Sequence, residues 1–139
     1  GLDRLEGWKD ALRAAGLPPV AVEHGDFTAA GGADATERLL RDHPDVDGIV
    51  VASDLMATGA LRVLQRHSRA VPDDVRVVGF DDLGVAASAE PPLTTVASPV
   101  VEMSRVAGEI LLSLVGALPT PRVPRERVFP TRLVVRASA

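Results

Sequence analysis

Three short stretches put oxygen-rich side chains where the chain turns sharply: His24-Gly25-Asp26-Phe27-Thr28, Ser53-Asp54 and Asp81-Asp82. Carboxylates accept hydrogen bonds from hydroxyl groups, and a serine hydroxyl both donates and accepts. Phe27 adds an aromatic face, which suits the C–H surface of a sugar ring. Arg4 adds a planar fork of donors for hydroxyls or carboxylates. Together they form a set for holding a small polyhydroxylated molecule. Each residue also has a plainer reading. Asp54 and Asp82 stand where helices begin, where Asp is a favoured N-cap, and Asp54 is read mainly as a cap. Arg4 taken alone reads as a surface arginine, Phe27 as a plug over a sheet edge, and Trp8, at helical spacing, as core. Asp81 is the hardest to dismiss, because it directly follows a buried apolar run.

Catalysis finds little support. Asp81 and Asp82 are adjacent and point apart if the chain is still extended. His24, His43 and His67 lie in turns or at helix ends, without metal-ligand spacing. The glycines form neither a G-x-G-x-x-G turn nor a phosphate-binding loop. No enzyme activity, cofactor or metal is therefore expected.

These side chains need elements to position them. Leu2, Leu5, Trp8, Leu12 and Ala15 recur at helical spacing and stop at Gly16 and Pro18-Pro19. Val20-Ala21-Val22 reads as a short strand. Thr28 reads as the N-cap of a helix from about Ala30 to Asp42. Gly48 to Ala52 is a continuous apolar run, the mark of a strand buried on both faces. Ser53 or Asp54 opens the next helix, Leu55 to His67. Val75 to Phe80 reads as a second buried strand and Thr94-Thr95-Val96 as a third. Val100, Met103, Ala107, Ile110, Leu111 and Leu114 form one helical stripe. The stretch Pro119–Pro124 reads as a loop, and Val128-Phe129 and Leu133-Val134-Val135 as closing strands. Alternating helices and strands predict an α/β fold with a parallel sheet in a three-layer sandwich. In such sheets ligands bind beyond the carboxyl ends of the strands, where these polar residues fall.

Composition narrows the classes. The 139 residues are enough for one ordinary domain, and 46% hydrophobic with 24% charged residues suffices for a core. A net charge of −4 argues against a nucleic-acid surface on this segment. With no cysteine there is no disulfide framework. No stretch is long and apolar enough to span a membrane. The chain opens without Met and almost directly in a helical pattern, so it is expected to begin within a longer protein.

Several segments together resemble the LacI/GalR family of transcriptional regulators. They are Arg4-Leu5-Glu6-Gly7-Trp8, His24 to Thr28, Ala52 to Ala60, Val71-Pro72-Asp73-Asp74-Val75, Val77 to Asp82, Pro91 to Val96, and the tail Leu133 to Ser138. The likeness runs the length of the chain, in order and spacing. It implies the C-terminal subdomain of a type I periplasmic-binding-protein-like fold, in which two α/β subdomains close on a small effector. Residues 1–98 would be that second subdomain. Residues 99–130 would be a crossover helix and strand packed on the first subdomain, and residues 131–139 a returning C-terminal strand. The first subdomain and a helix-turn-helix head that reads operator DNA would lie upstream.

The resemblance also assigns roles. Arg4 matches a cleft arginine that grips ligand hydroxyls, and Phe27 an aromatic that stacks on the ligand. Ser53 matches a polar contact, and Asp81 an aspartate that accepts from the effector. Ser98 matches a further contact, often Gln in relatives, which the shorter serine leaves to a water. Leu55, Thr58, Gly59 and Arg62 share one helix face and match a homodimer interface, shared with Ala86–Glu90. Met56, Ala60, Leu61 and Leu64 would then lean on the sheet. At Ser68 many relatives carry a glycine cap. The implied function is a cytoplasmic effector-sensing domain, with a small carbohydrate as the first expectation and no membrane partner. Two rivals stay open: a sugar receptor of a transport system, and an α/β enzyme using Asp26, Asp54 and Asp81. With its first subdomain absent, the stripe of the long helix is expected either to drive self-association of this chain or to leave the helix displaced.

Overall fold

The structure is a computed structural model and describes residues 2–19, 21–117 and 127–139. The chain opens with α1 (Leu2–Ala14). Leu17 N donates to Leu12 O and Gly16 N to Arg13 O, with Gly16 at φ 73°, so the helix closes in the left-handed turn that glycine permits. Next is α2 (Ala29–Asp42), whose first turn is capped by the Thr28 hydroxyl accepting from Gly31 N at 2.9 Å. Then come β1 (Gly48–Val50), α3 (Asp54–Arg66), β2 (Arg76–Asp81) and the short α4 (Gly84–Ala87). The described chain finishes with β3 (Thr94–Ala97), α5 (Val100–Leu114) and β4 (Arg132–Val134). At the end of α3, Ser68 takes φ 54° and repeats the closing geometry of Gly16 without glycine's freedom, at a cost of about 1 kcal/mol or more.

The four strands lie in the order β1-β2-β3-β4. The first three are parallel, with Val50 beside Val78 and Phe80 beside Val96. β4 runs antiparallel to β3, with Leu133 beside Val96. The sheet is thus mixed and mostly parallel, and it is flanked by helices. α3 packs on β2 and α2 packs on α3. The core between them holds Leu64, Val63, Val75, Val77 and Leu93, all fully buried, with Met56, Ala60 and Leu61 nearly so. Each large aliphatic side chain withdrawn from water here contributes about 1.5–3 kcal/mol.

Several sequence expectations need correction. Ala21 and Val22 are irregular, not strand, and Val20 lies outside the described residues. Without a strand beside it β1 is an edge, and Val50 is 59% exposed rather than buried on both faces. Val128-Phe129 is also irregular, and the loop assigned to Pro119–Pro124 lies outside the described residues. Trp8 is not core: it is only half-buried, and α1 has no buried residue.

Candidate functional site

Arg4 points from the first turn of α1 toward the carboxyl ends of the parallel strands. One guanidinium nitrogen donates to Ala52 O, just beyond β1. The other donates to the Asp81 carboxylate at the end of β2, at 3.1 Å. The guanidinium lies over the Phe80 ring, 3.8 Å from its centroid, in cation–π geometry. A guanidinium carries five N–H donors, so the fork retains donors for a ligand beside Asp81. The structure thus joins two residues 77 positions apart at one strand end.

Asp81 and Asp82 take φ values of 105° and 57°, a left-handed excursion that turns the chain out of β2. Partial burial raises the Asp81 carboxyl above its usual range; Arg4 opposes that shift and the Asp54 carboxylate adds to it. Asp82 is not a cap: its carboxylate accepts from Arg136 at 2.7 Å, and Leu83 stands at the N-cap of α4 without a side-chain cap bond. Ser98 follows β3 and lies beside Asp81, its backbone N–H donating to Asp81 O at 3.4 Å. A cleft of about 690 Å³ opens there, lined by Asp81, Asp82, Ser98, Glu102 and Arg105 among others.

The other predicted residues sit differently. Ser53 is buried, and its hydroxyl caps α3 by accepting from Met56 N at 3.3 Å. Of the two cap candidates it is therefore Ser53, not Asp54, that caps α3. The Asp54 side chain turns inward, fully buried, and accepts from Thr95 Oγ1 at 2.6 Å and Leu83 N at 2.9 Å. Phe27 stands half-exposed at φ 64° on the turn before α2. Among the described residues no hydrogen bond or ion pair ties that turn to Arg4 or Asp81. Asp26 instead accepts from Thr28 N and Thr28 Oγ1, which holds its carboxyl below the usual range.

On α3, Leu55 and Arg62 are exposed and Thr58 is half-buried. Gly59 does not share that open face. It is buried against α2, where an added Cβ would lie 1.9 Å from Ala29 O, so the exposed face is Leu55, Thr58 and Arg62.

Sequence reasoning missed the part played by the tail. Arg136 bridges Asp82 and Leu93 O, and the buried Ser138 hydroxyl donates to Val77 O and accepts from Thr94 N. The signal was a small polar residue, Ser138, four positions beyond the end of β4. Among the described residues no cluster of three or more His, Cys, Asp or Glu could hold a metal ion, and no helix is long and apolar enough to cross a membrane.

The periplasmic binding protein-like domain family matches residues 1–139. The transcriptional regulator CelR of Thermobifida fusca is 44% identical over 140 residues, 99% of this chain and 41% of its own length. The lactose operon repressor of Klebsiella pneumoniae is 38% identical over 136 residues, 98% of this chain and 38% of its own. A CelR–cellobiose complex superposes with a TM-score of 0.89 at 43% identity, covering 99% of this chain and 42% of that one. A lac repressor dimer bound to operator and an anti-inducer superposes with a TM-score of 0.85 at 29% identity, covering 97% of this chain and 40% of that one. The chain spans about two fifths of the length of the curated relatives it matches. Sheet, strand-end site and matches together define an α/β domain of the periplasmic-binding-protein type. The chain belongs to the LacI/GalR family, as a regulator domain.

Proposed function

We propose that this chain is part of the effector-sensing domain of a cytoplasmic, sugar-responsive transcriptional regulator, a binding module and not an enzyme. The observation that carries the reading is the Arg4–Asp81 pair at the carboxyl end of β2, where open α/β sheets take their ligands. Arg4 supplies donors and Asp81 acceptors to the hydroxyls of one sugar, Ser98 adds a contact at the cleft, and Phe27 and Ser53 complete the set as the effector arrives. Residues 1–98 with 131–139 form one wall of the effector cleft. The segment 99–130, of which 118–126 lie outside the described residues, would pack on the other subdomain through α5. Leu55, Thr58 and Arg62 face a second copy, and the parent protein reads operator DNA through a helix-turn-helix head. Cellobiose, which a 43% identical regulator holds in its complex, is the first effector to test.

The mechanism is a population shift. The sugar binds one arrangement of the two subdomains more tightly than the other, and only that difference resets the paired DNA heads. The test is calorimetric titration of the intact regulator with cellobiose and a panel of other small sugars, beside operator binding followed by fluorescence anisotropy. One sugar is expected to bind and to change operator affinity. Asp81→Ala and Arg4→Ala should each weaken that sugar by about tenfold or more, the loss of a charge-assisted contact. Full sugar affinity in Asp81→Ala would overturn the site, and an intact protein with no affinity for operator DNA would overturn the regulator reading.

A further inference from the structure

Two successive non-glycine residues, Asp81 and Asp82, hold positive φ, a strained conformation that persists only where the surroundings impose it. On the upstream side the β2–β3 pairing holds the chain, with Asp81 beside Ala97. On the downstream side two side chains hold it. The buried Asp54 carboxylate receives the Leu83 N–H, and Arg136 binds the Asp82 carboxylate while its other nitrogen donates to Leu93 O.

Asp54 has no other work to do. Ser53 already caps α3. A ligand cannot reach Asp54, because it has no exposed surface and each oxygen already accepts a hydrogen bond, one from Thr95 Oγ1 and one from Leu83 N. Room for that carboxylate exists because position 79 has no side chain: a Cβ there would lie 2.4 Å from Asp54 Oδ1. Three elements thus meet on one carboxylate: the start of α3, the middle of β3 and the turn after β2.

We propose that Asp54 and Arg136 are positioning residues for the effector site: they clamp the Asp81–Leu83 turn from beneath and from the tail, and so present Asp81 to the sugar already paired with Arg4. The proposal rests on the sugar-sensing reading above. A contact group held in its bound geometry before the ligand arrives binds more tightly, because ordering is not left to the binding step. Arg136 lies just beyond β4, so the clamp also fastens the C-terminal segment to the effector turn.

The experiment uses the intact regulator and variants at Asp54 and Thr95. Asp54→Asn keeps the shape but turns one acceptor into a donor. Thr95→Val keeps the volume and removes the hydroxyl that donates to Asp54. Thr95→Ser restores the hydroxyl while giving up a methyl group. Cellobiose affinity is measured by calorimetry on the folded fraction, and hydrogen exchange of the Leu83 and Gly84 amides is followed without sugar. Asp54→Asn and Thr95→Val should weaken cellobiose by about tenfold and speed exchange at Leu83, as expected when a buried hydrogen bond is lost. Thr95→Ser should stay near the parent in both, although it melts earlier. A purely structural role predicts the opposite ranking, with affinity tracking melting temperature in all three. That ranking, or exchange at Leu83 unchanged in Asp54→Asn and Thr95→Val, overturns the proposal. The exchange measurement needs no sugar, so it decides the clamp even if the parent protein binds none, a result that would count against the sugar-sensing reading alone.

Discussion

Asp81 is held where water is partly excluded and where a second carboxylate, Asp54, adds like charge. Both raise its pKa, while Arg4 opposes them. The other charged groups around it are Asp82 beside it and Glu102 and Arg105 across the cleft. A carboxyl whose folded pKa lies above its unfolded value favours the folded state most when protonated. The contribution is full below the unfolded value, about 3.9 for aspartate, and is lost as pH rises through the folded value. At neutral pH the ionised Asp81 therefore destabilises the fold slightly. Asp81→Asn keeps an acceptor for Arg4 and removes that charge. The variant should melt slightly above the parent protein at pH 7, and the two should converge as the pH falls toward about 4. Its sugar affinity should fall at the same time, since a neutral amide is a weaker acceptor than a carboxylate. Thermal melts across pH check this; a variant that melts lower at pH 7, or a gap that widens in acid, would contradict it. The site residue that binds best is then the one the fold would rather lose, a trade common where function sets the residue type.

At the scale of elements, the α2–α3 crossing depends on two missing side chains. An added Cβ at Gly32 would lie 2.2 Å from Met56 O, and one at Gly59 would lie 1.9 Å from Ala29 O. The helices touch backbone to backbone at both points. Gly59→Ala gains up to about 1 kcal/mol of helix propensity, but overpacking of this kind costs about 1–3 kcal/mol. The contact is backbone, which cannot turn aside, so the net effect should be destabilising by about 1–2 kcal/mol. Chemical denaturation of the intact protein measures it, and an unchanged midpoint would mean that α2 can slide. This crossing also shows where the sequence could be read and where it could not. The helix starts were legible, because Thr28 and Ser53 are capping types standing directly before apolar periodicity. Met56, Ala60, Leu61 and Leu64 were legible as the buried face. Gly59 was not: helical spacing places it beside Leu55 and Arg62, but says nothing of a second helix close enough to cover it. Asp54 was misread for a related reason, since cap preference cannot separate a residue that caps from its neighbour that reaches into the core. The strand-end rule and the family likeness put Arg4 and Asp81 at one cleft, but their ion pair was not legible, because no local rule links positions so far apart.

At the scale of the whole chain, the apolar stripe of α5 is left open. In α5 only Val106 is buried, while Val100, Met103, Leu111, Leu112 and Leu114 are exposed, Leu114 by 66%. Val50 on the β1 edge, and Leu133 on the β4 edge with Val135 just beyond it, are exposed as well. Clustered apolar surface of this kind marks a contact with another chain segment or another molecule. The chain spans about two fifths of its relatives' length, and on the regulator reading proposed above the first subdomain would supply that contact. The 139-residue chain expressed alone has only further copies of itself. It should sediment as concentration-dependent oligomers, and Leu111→Glu with Leu114→Glu should shift it to monomer while leaving its far-ultraviolet circular dichroism unchanged. In the intact regulator the same pair of changes should instead lower the melting temperature, because there the charges would be forced into a covered interface. A parent chain that is monodisperse and monomeric at high concentration would show that α5 finds cover on its own sheet. The contrast between the two settings separates a surface that is merely apolar from one that another part of the protein was shaped to cover.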